Sequence, residues 1–344
     1  MVRRVLLLSS FFAAVVACGG GESAPPGDPA PAPTTPGTPA VPGTTPDPGS
    51  SSGAPAVDGG GPGPAGKTIR FAALGDTGTG SADQIRVANA LDAKCKASGC
   101  DFIVLLGDNI YDSGVSSVDD PQWQSKFEVP YAAINLDFFA VLGNHDYGAN
   151  GAGTDFPKGK NEIDYTAKST KWKMPAAYYT QVKGPMELFA LDTNKILFGQ
   201  DSDQKKDMTA AFAASTAKWK IAVGHHPYRS NGPHGNAGSY DKVPIPPVNG
   251  SNVKSFMDDV VCGKADLYIS GHDHSRQWLD VNCAGTSLAV SGAGAKATEL
   301  KGSNPALFQS LDLGFLYITV DDKTLKAEWV DDNGKVESPV TLTK

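Results

Sequence analysis

Residues 69–112 read IRFAALGDTGTGSADQIRVANALDAKCKASGCDFIVLLGDNIYD. Two apolar runs, IRFAAL (69–74) and FIVLL (102–106), each end in Gly-Asp. Continuous apolar runs of this length suit strands covered on both faces. Between them Ser81 stands as a helix N-cap, and Ile85, Val87, Ala88 and Leu91 recur at helical spacing. The stretch therefore reads strand, helix, strand, a βαβ unit, and the fold class is α/β.

Working outward, the same pattern returns three times. FFAVL (138–142) runs into GNHDYG, KIAV (220–223) into GHHPYRS, and DLYIS (266–270) into GHDH. In open α/β sheets, ligands collect at the carboxyl ends of strands, so five polar clusters in that position point to one site. Later runs, SLAVSGAG (287–294), FLYITVD (315–321) and LKAEWV (325–330), alternate more and suggest a second, antiparallel sheet.

The chain has 344 residues, 40% hydrophobic and 19% charged, and a net charge of −7. No basic surplus exists to displace counterions, which argues against nucleic acid as a partner. Only six histidines occur: His145, His225, His226, His234, His272 and His274. Each lies in or near a strand-end cluster, beside Asp76, Asp108 and Asn144. Imidazole, carboxylate and amide oxygen without thiolate suit Fe, Zn or Mn rather than a structural zinc. Two such ions can clamp the attacking and leaving oxygens of a phosphoryl transfer.

In chain order, the motifs Asp, GDN, GNHD, GH and GHDH resemble those of the calcineurin-like metallophosphoesterases. The common first motif of that superfamily, Asp-x-His, is DTG in this chain, so one histidine is missing. Tyr111, three residues after Asp108, offers a replacement, as in purple acid phosphatases. RFAALGDTG, WKMPAAYY, LFALDTN, GHHPYRSNGPHG and AVSGAG extend the resemblance to the short, mammalian-type, tartrate-resistant members.

The resemblance implies a four-layer α-β-β-α sandwich of two mixed sheets. It also implies an Fe(III) ion on Asp76, Tyr111 and His274, and a divalent partner (Fe2+, Zn2+ or Mn2+) on Asn144, His225 and His272, with Asp108 bridging. His145 would protonate or stabilise the leaving oxygen, with Asp146 orienting it, and His234 would bind substrate. His226 reads as structural. His272 and His274, two apart on an extended segment, would face the same site by strand alternation. The implied activity is hydrolysis of phosphate monoesters at acid pH by a metal-bound hydroxide, in a monomer. The alternatives are a phosphodiesterase with two divalent ions and a non-catalytic surface lipoprotein.

The N-terminal region reads separately. MVRR followed by VLLLSSFFAAVVA (5–17) has the form of an export signal, too short to span a membrane. VVAC (15–18) resembles a lipobox, which makes Cys18 the acylated residue; Gly19 after it implies an outer-membrane destination. Residues 19–66 hold 13 of the 25 prolines and no aromatic residue, and this composition cannot bury a core. The expected organisation is signal peptide 1–17, lipidated cysteine and linker 18–66, and one domain over 67–344. Four further cysteines suit an oxidising compartment, and short loops favour Cys95 with Cys100 and Cys262 with Cys283.

Overall fold

This computed structural model describes residues 66–344; the expected signal peptide, Cys18 and linker through residue 65 lie outside them. Strand β1 (Ile69–Leu74) leads through helix α1 (Ala82–Ser98) to β2 (Phe102–Leu106). There follow β3 (Phe138–Val141), β4 (Trp172–Lys173), β5 (Tyr179–Lys183), β6 (Met186–Ala190), β7 (Trp219–Val223), β8 (Leu267–Ser270) and β9 (Arg276–Leu279). The last strands are β10 (Ser287–Ser291), β11 (Ala306–Ser310), β12 (Gly314–Val320), β13 (Thr324–Asp331) and β14 (Val336–Thr343).

Two seven-stranded sheets form, ordered β14-β13-β12-β1-β2-β3-β4 and β11-β9-β10-β8-β7-β6-β5. Both are mixed: β1 to β4 and β6, β7, β8, β10 run parallel, whereas the remaining partners are antiparallel. The separate antiparallel sheet expected from the later runs does not form. Instead β12 and β13 extend the first sheet beside β1, and β10 lies parallel to β8 in the second. Alternation along a strand describes its two faces and cannot distinguish between the sheets it joins.

Burial explains the unbroken apolar runs. In the second sheet Leu188, Ile221, Ile269 and Ala289 face the core shared with the first sheet. Their neighbours Phe189, Ala222, Tyr268 and Leu288 face the opposite way, against Met208 and Phe212 of helix Ser202–Ala214 and Val253 and Phe256 of helix Ser251–Phe256. Helix α1 covers β12 and β13 with Val87, Ala88 and Leu91. Both outer faces thus carry helices.

Ser81 caps α1 as expected, its hydroxyl accepting from the Gln84 N–H at 3.3 Å. Ile85, however, is 43% exposed. The buried neighbour is Gln84, which accepts from the Gly80 N–H at 2.8 Å and donates to the Lys126 carbonyl at 2.7 Å. With both its amide oxygen and its amide nitrogen hydrogen-bonded, the penalty for burying it is offset. Both expected disulfides are present, with Cα–Cα separations of 5.0 and 4.9 Å. Among the described residues, no helix is long and apolar enough to cross a membrane.

Candidate metal centre

All five polar clusters lie at the carboxyl ends of β1, β2, β3, β7 and β8. The Gly75 N–H donates to the Ser291 carbonyl at 2.8 Å, and Ser291 Oγ to the Ala73 carbonyl at 2.8 Å, joining the two sheets there. Loops from separate strands approach so closely that side chains are excluded at certain glycines. A Cβ at Gly143 would lie 2.2 Å from Asp108 Oδ1, and one at Gly271 2.6 Å from Asp76 Oδ2. Asp76, Asp108 and His272 sit at φ 61°, 51° and 70°, left-handed conformations that cost energy in residues other than glycine. Surrounding hydrogen bonds hold them: the His272 N–H donates to Asp76 Oδ2 at 2.9 Å, and the His145 N–H to Asp108 Oδ1 at 2.9 Å.

Two groups of donor atoms result. Tyr111 Oη lies 3.0 Å from Asp76 Oδ1 and 3.1 Å from His274 Nε2, itself 3.4 Å from Asp76 Oδ1. In the other group, His225 Nε2 lies 2.9 Å from Asn144 Oδ1, 3.0 Å from His272 Nδ1 and 3.4 Å from Asp108 Oδ1. Asp76, Asp108 and His225 offer ligand atoms within 4.8 Å of one another.

The protons available in the cluster leave several of its contacts unsatisfied. His225 Nδ1 donates to the Leu106 carbonyl at 2.9 Å, and Asn144 Nδ2 to the Gly151 carbonyl at 2.8 Å. Each side chain thereby directs its other polar atom inward. His225 Nε2 then meets an amide oxygen, a carboxylate oxygen and a second imidazole nitrogen. One proton can bridge only one of these contacts, whereas a cation relieves them all. Burial, then the neighbouring histidines, holds His272 well below the usual imidazole range, so its nitrogen lone pair is available. Burial would raise the Asp76 carboxyl, but His274, His225 and Tyr111 together hold it below its ordinary value. Burial, then Asp108 and Asp76, pushes the Tyr111 phenol well above its ordinary value, so without a cation it is a neutral donor to Asp76. The donor set fits two ions.

Metal-stripped protein should therefore gain thermal stability on adding Zn2+, with a concentration-dependent rise in Tm. Saturation at 100 times Kd corresponds to about 2.7 kcal/mol per site. A Tm indifferent to Zn2+ and to iron would contradict the reading of the cluster.

His145 and His234 border this cluster. His145 Nδ1 contacts the Asp112 carbonyl at 2.6 Å, its Nε2 lies 4.0 Å from Asp108 Oδ2, and its ring meets Tyr111 edge-on at 4.5 Å. Asp146, expected to orient His145, makes other contacts. It accepts from the N–H groups of Gly143 (2.7 Å), Asn109 (2.9 Å) and Ile110 (3.1 Å), tying the loop after β2 to the loop after β3. Burial, then the charge of Asp108, raises its pKa to about 7. His234 packs against His272 with ring centroids 4.1 Å apart and planes tilted by 30°, its Nδ1 2.9 Å from Asp241 Oδ1. His226 is buried, with Nδ1 3.0 Å from Thr193 Oγ1.

His272 and His274 reach one cluster, but not by strand alternation. Residues 271–275 form a turn between β8 and β9, and His272 is left-handed. Asp273 points elsewhere, accepting from the N–H of His234 at 3.0 Å. Sequence reasoning gave no role to Asp273, Asp241 or Lys296, whose ammonium lies 3.2 Å from the centroid of the Tyr111 ring. The signals available were the place of Asp273 inside GHDH and that of Lys296 just after SGAG, both quoted above.

The profile of the calcineurin-like phosphoesterase family matches residues 69–276. Purple acid phosphatase 3 of Arabidopsis thaliana is 29% identical over 138 residues, 38% of this chain and 34% of that protein. The match thus spans about a third of the plant relative's length. Tartrate-resistant acid phosphatase type 5 of Sus scrofa is 27% identical over 307 residues, 78% of this chain and 84% of that protein. Among solved structures, GAP50, described as the anchor in the inner membrane complex of Plasmodium, shares the fold with a TM-score of 0.65. Its identity is 23%, over 80% of this chain and 89% of that chain.

Proposed function

Since the chain belongs to the calcineurin-like phosphoesterase family, we propose that it is an acid phosphatase of the purple type, hydrolysing phosphate monoesters with an Fe(III)–M(II) pair. The observation that carries this reading is the phenol of Tyr111, within 3.0 and 3.1 Å of Asp76 and His274, where the usual first-motif histidine is missing. Similarity to purple and tartrate-resistant acid phosphatases supports it.

Asp76, Tyr111 and His274 would hold the iron; Asn144, His225 and His272 the divalent ion; and Asp108 both. When bound, the pair supplies Lewis acidity that polarises the phosphate oxygens and the attacking water. The remaining residues bind substrate and move protons. His145, fixed through Nδ1 by the Asp112 carbonyl, has Nε2 left, 4.0 Å from Asp108 Oδ2, to donate a proton to the departing alkoxide. His234, held by Asp241, has Nε2 left to hydrogen-bond the phosphate. The sequence also supports export and acylation at Cys18 as part of this proposal.

Tyr111→Phe is the direct test. Iron-loaded, oxidised wild type should show a visible band from phenolate-to-iron charge transfer, and the variant should lack it while keeping its fold. Tyrosine's free pKa is about 10, so only a strongly acidic ion holds it ionised in acid. If the wild type has no band, or the variant keeps it, the purple-type reading fails and the phosphodiesterase with two divalent ions replaces it.

A further inference from the structure

The loop after β10 approaches the centre without offering it a ligand. The Gly294 N–H donates to the Gly75 carbonyl at 3.1 Å, and the Thr298 N–H to the His274 carbonyl at 2.9 Å. A Cβ at Gly294 would lie 2.4 Å from the Gly75 oxygen. Residues 294–298 are thus fastened at one end to the loop carrying Asp76 and at the other to His274. Lys296 lies between these anchors, half-buried, with Nζ 3.2 Å from the centroid of the Tyr111 ring. Among the described residues, no carboxylate pairs with it. A second ammonium, that of Lys126, donates to the Tyr111 carbonyl and to Gln122 Oε1 at 2.7 Å. One lysine fixes the backbone of this tyrosine and the other covers its ring.

We propose that Lys296 is a positioning residue that tunes Tyr111 as a metal ligand: its charge over the ring face holds electron density in the ring and limits what the phenolate gives to the ion. This rests on the iron–tyrosinate reading above. A cation over an aromatic face is attracted by the ring's π density. If the ring is a phenolate, the attraction grows, because the ring shares a full negative charge. Phenolate-to-metal charge transfer empties the ring of an electron while the cation stays in place. That transition therefore needs more energy with Lys296 than without it. The Lewis acidity of the ion is kept high for the same reason.

The experiment compares wild type, Lys296→Met and Lys296→Arg, each loaded with iron and oxidised, by visible absorption. Tyr111→Phe serves as the control for the origin of the band. The expected result is a shift to longer wavelength in Lys296→Met, on the order of 20 nm. Lys296→Arg should restore the wild-type position, since guanidinium also covers aromatic faces. The reduction potential of the iron, measured on the same samples, should fall in Lys296→Met and recover in Lys296→Arg. A Tyr111-dependent band that ignores Lys296→Met would overturn the tuning and leave the iron reading intact. The absence of any Tyr111-dependent band would sink both.

Discussion

Asp108→Asn should strip the centre of at least one ion and reduce turnover by at least about 100-fold. Even the outer partners of metal ligands cost about 10–100-fold when replaced. Asp108 is closer in: its carboxylate lies 3.4 Å from His225 Nε2, in the same 4.8 Å cluster as Asp76. Asparagine preserves the shape and can still accept from the His145 N–H, now at 2.9 Å. It also tolerates the left-handed backbone at φ 51° better than most residues. The variant should therefore fold. Without metal its Tm should equal or exceed that of wild type, because a buried charge has gone. Elemental analysis and thermal unfolding decide the matter together. A full complement of two ions per chain in Asp108→Asn would remove Asp108 from the bridge.

His145→Ala should lower turnover about 10²–10⁴-fold on alkyl phosphates, the usual contribution of a positioned general acid. Metal content should not change. The contact from His145 to Asp108 that organises the loop is made by the backbone N–H, which alanine keeps. The imidazole itself lies 4.0 Å from the Asp108 carboxylate and touches the Tyr111 ring and the Asp112 carbonyl. For an aryl ester whose leaving group departs without a proton, the loss should shrink. An equal loss on both substrates would mean that His145 binds the phosphate instead of protonating the leaving group. Loss of a metal would mean that it is a ligand.

The α/β class, the strand-end location and the identities of the clustered residues were all legible in the chain. Strands buried on both faces admit few polar residues, so the Gly-Asp, Gly-Asn-His and Gly-His-Asp-His groups at their ends were conspicuous. Helix α1 was legible too, although Gln84 and Ile85 exchanged places as buried and exposed. That exchange was set by the Lys126 carbonyl, 42 residues away, which no local period reports. The grouping of β12 and β13 was hidden for a related reason. Alternation describes a strand's two faces, while its neighbour is chosen by long-range pairing.

By itself, the sequence determined which residue types were available to the centre and that they would meet at strand ends. That Gly107, Gly143 and Gly271, beside Asp108, Asn144 and His272, leave room for a close approach there was shown only by the structure. Only the tertiary structure decided the roles of the others. It assigned Asp146 to the backbone of two loops, and the Asp112 carbonyl to His145. It turned His272 and His274 inward through a left-handed residue, and set Lys296 over Tyr111. Each of these depends on where segments far apart in the chain are fastened to one another. A hydrogen bond or a ring contact is fixed to within a few tenths of an ångström by packing. Sequence spacing carries no such distance between separate strands.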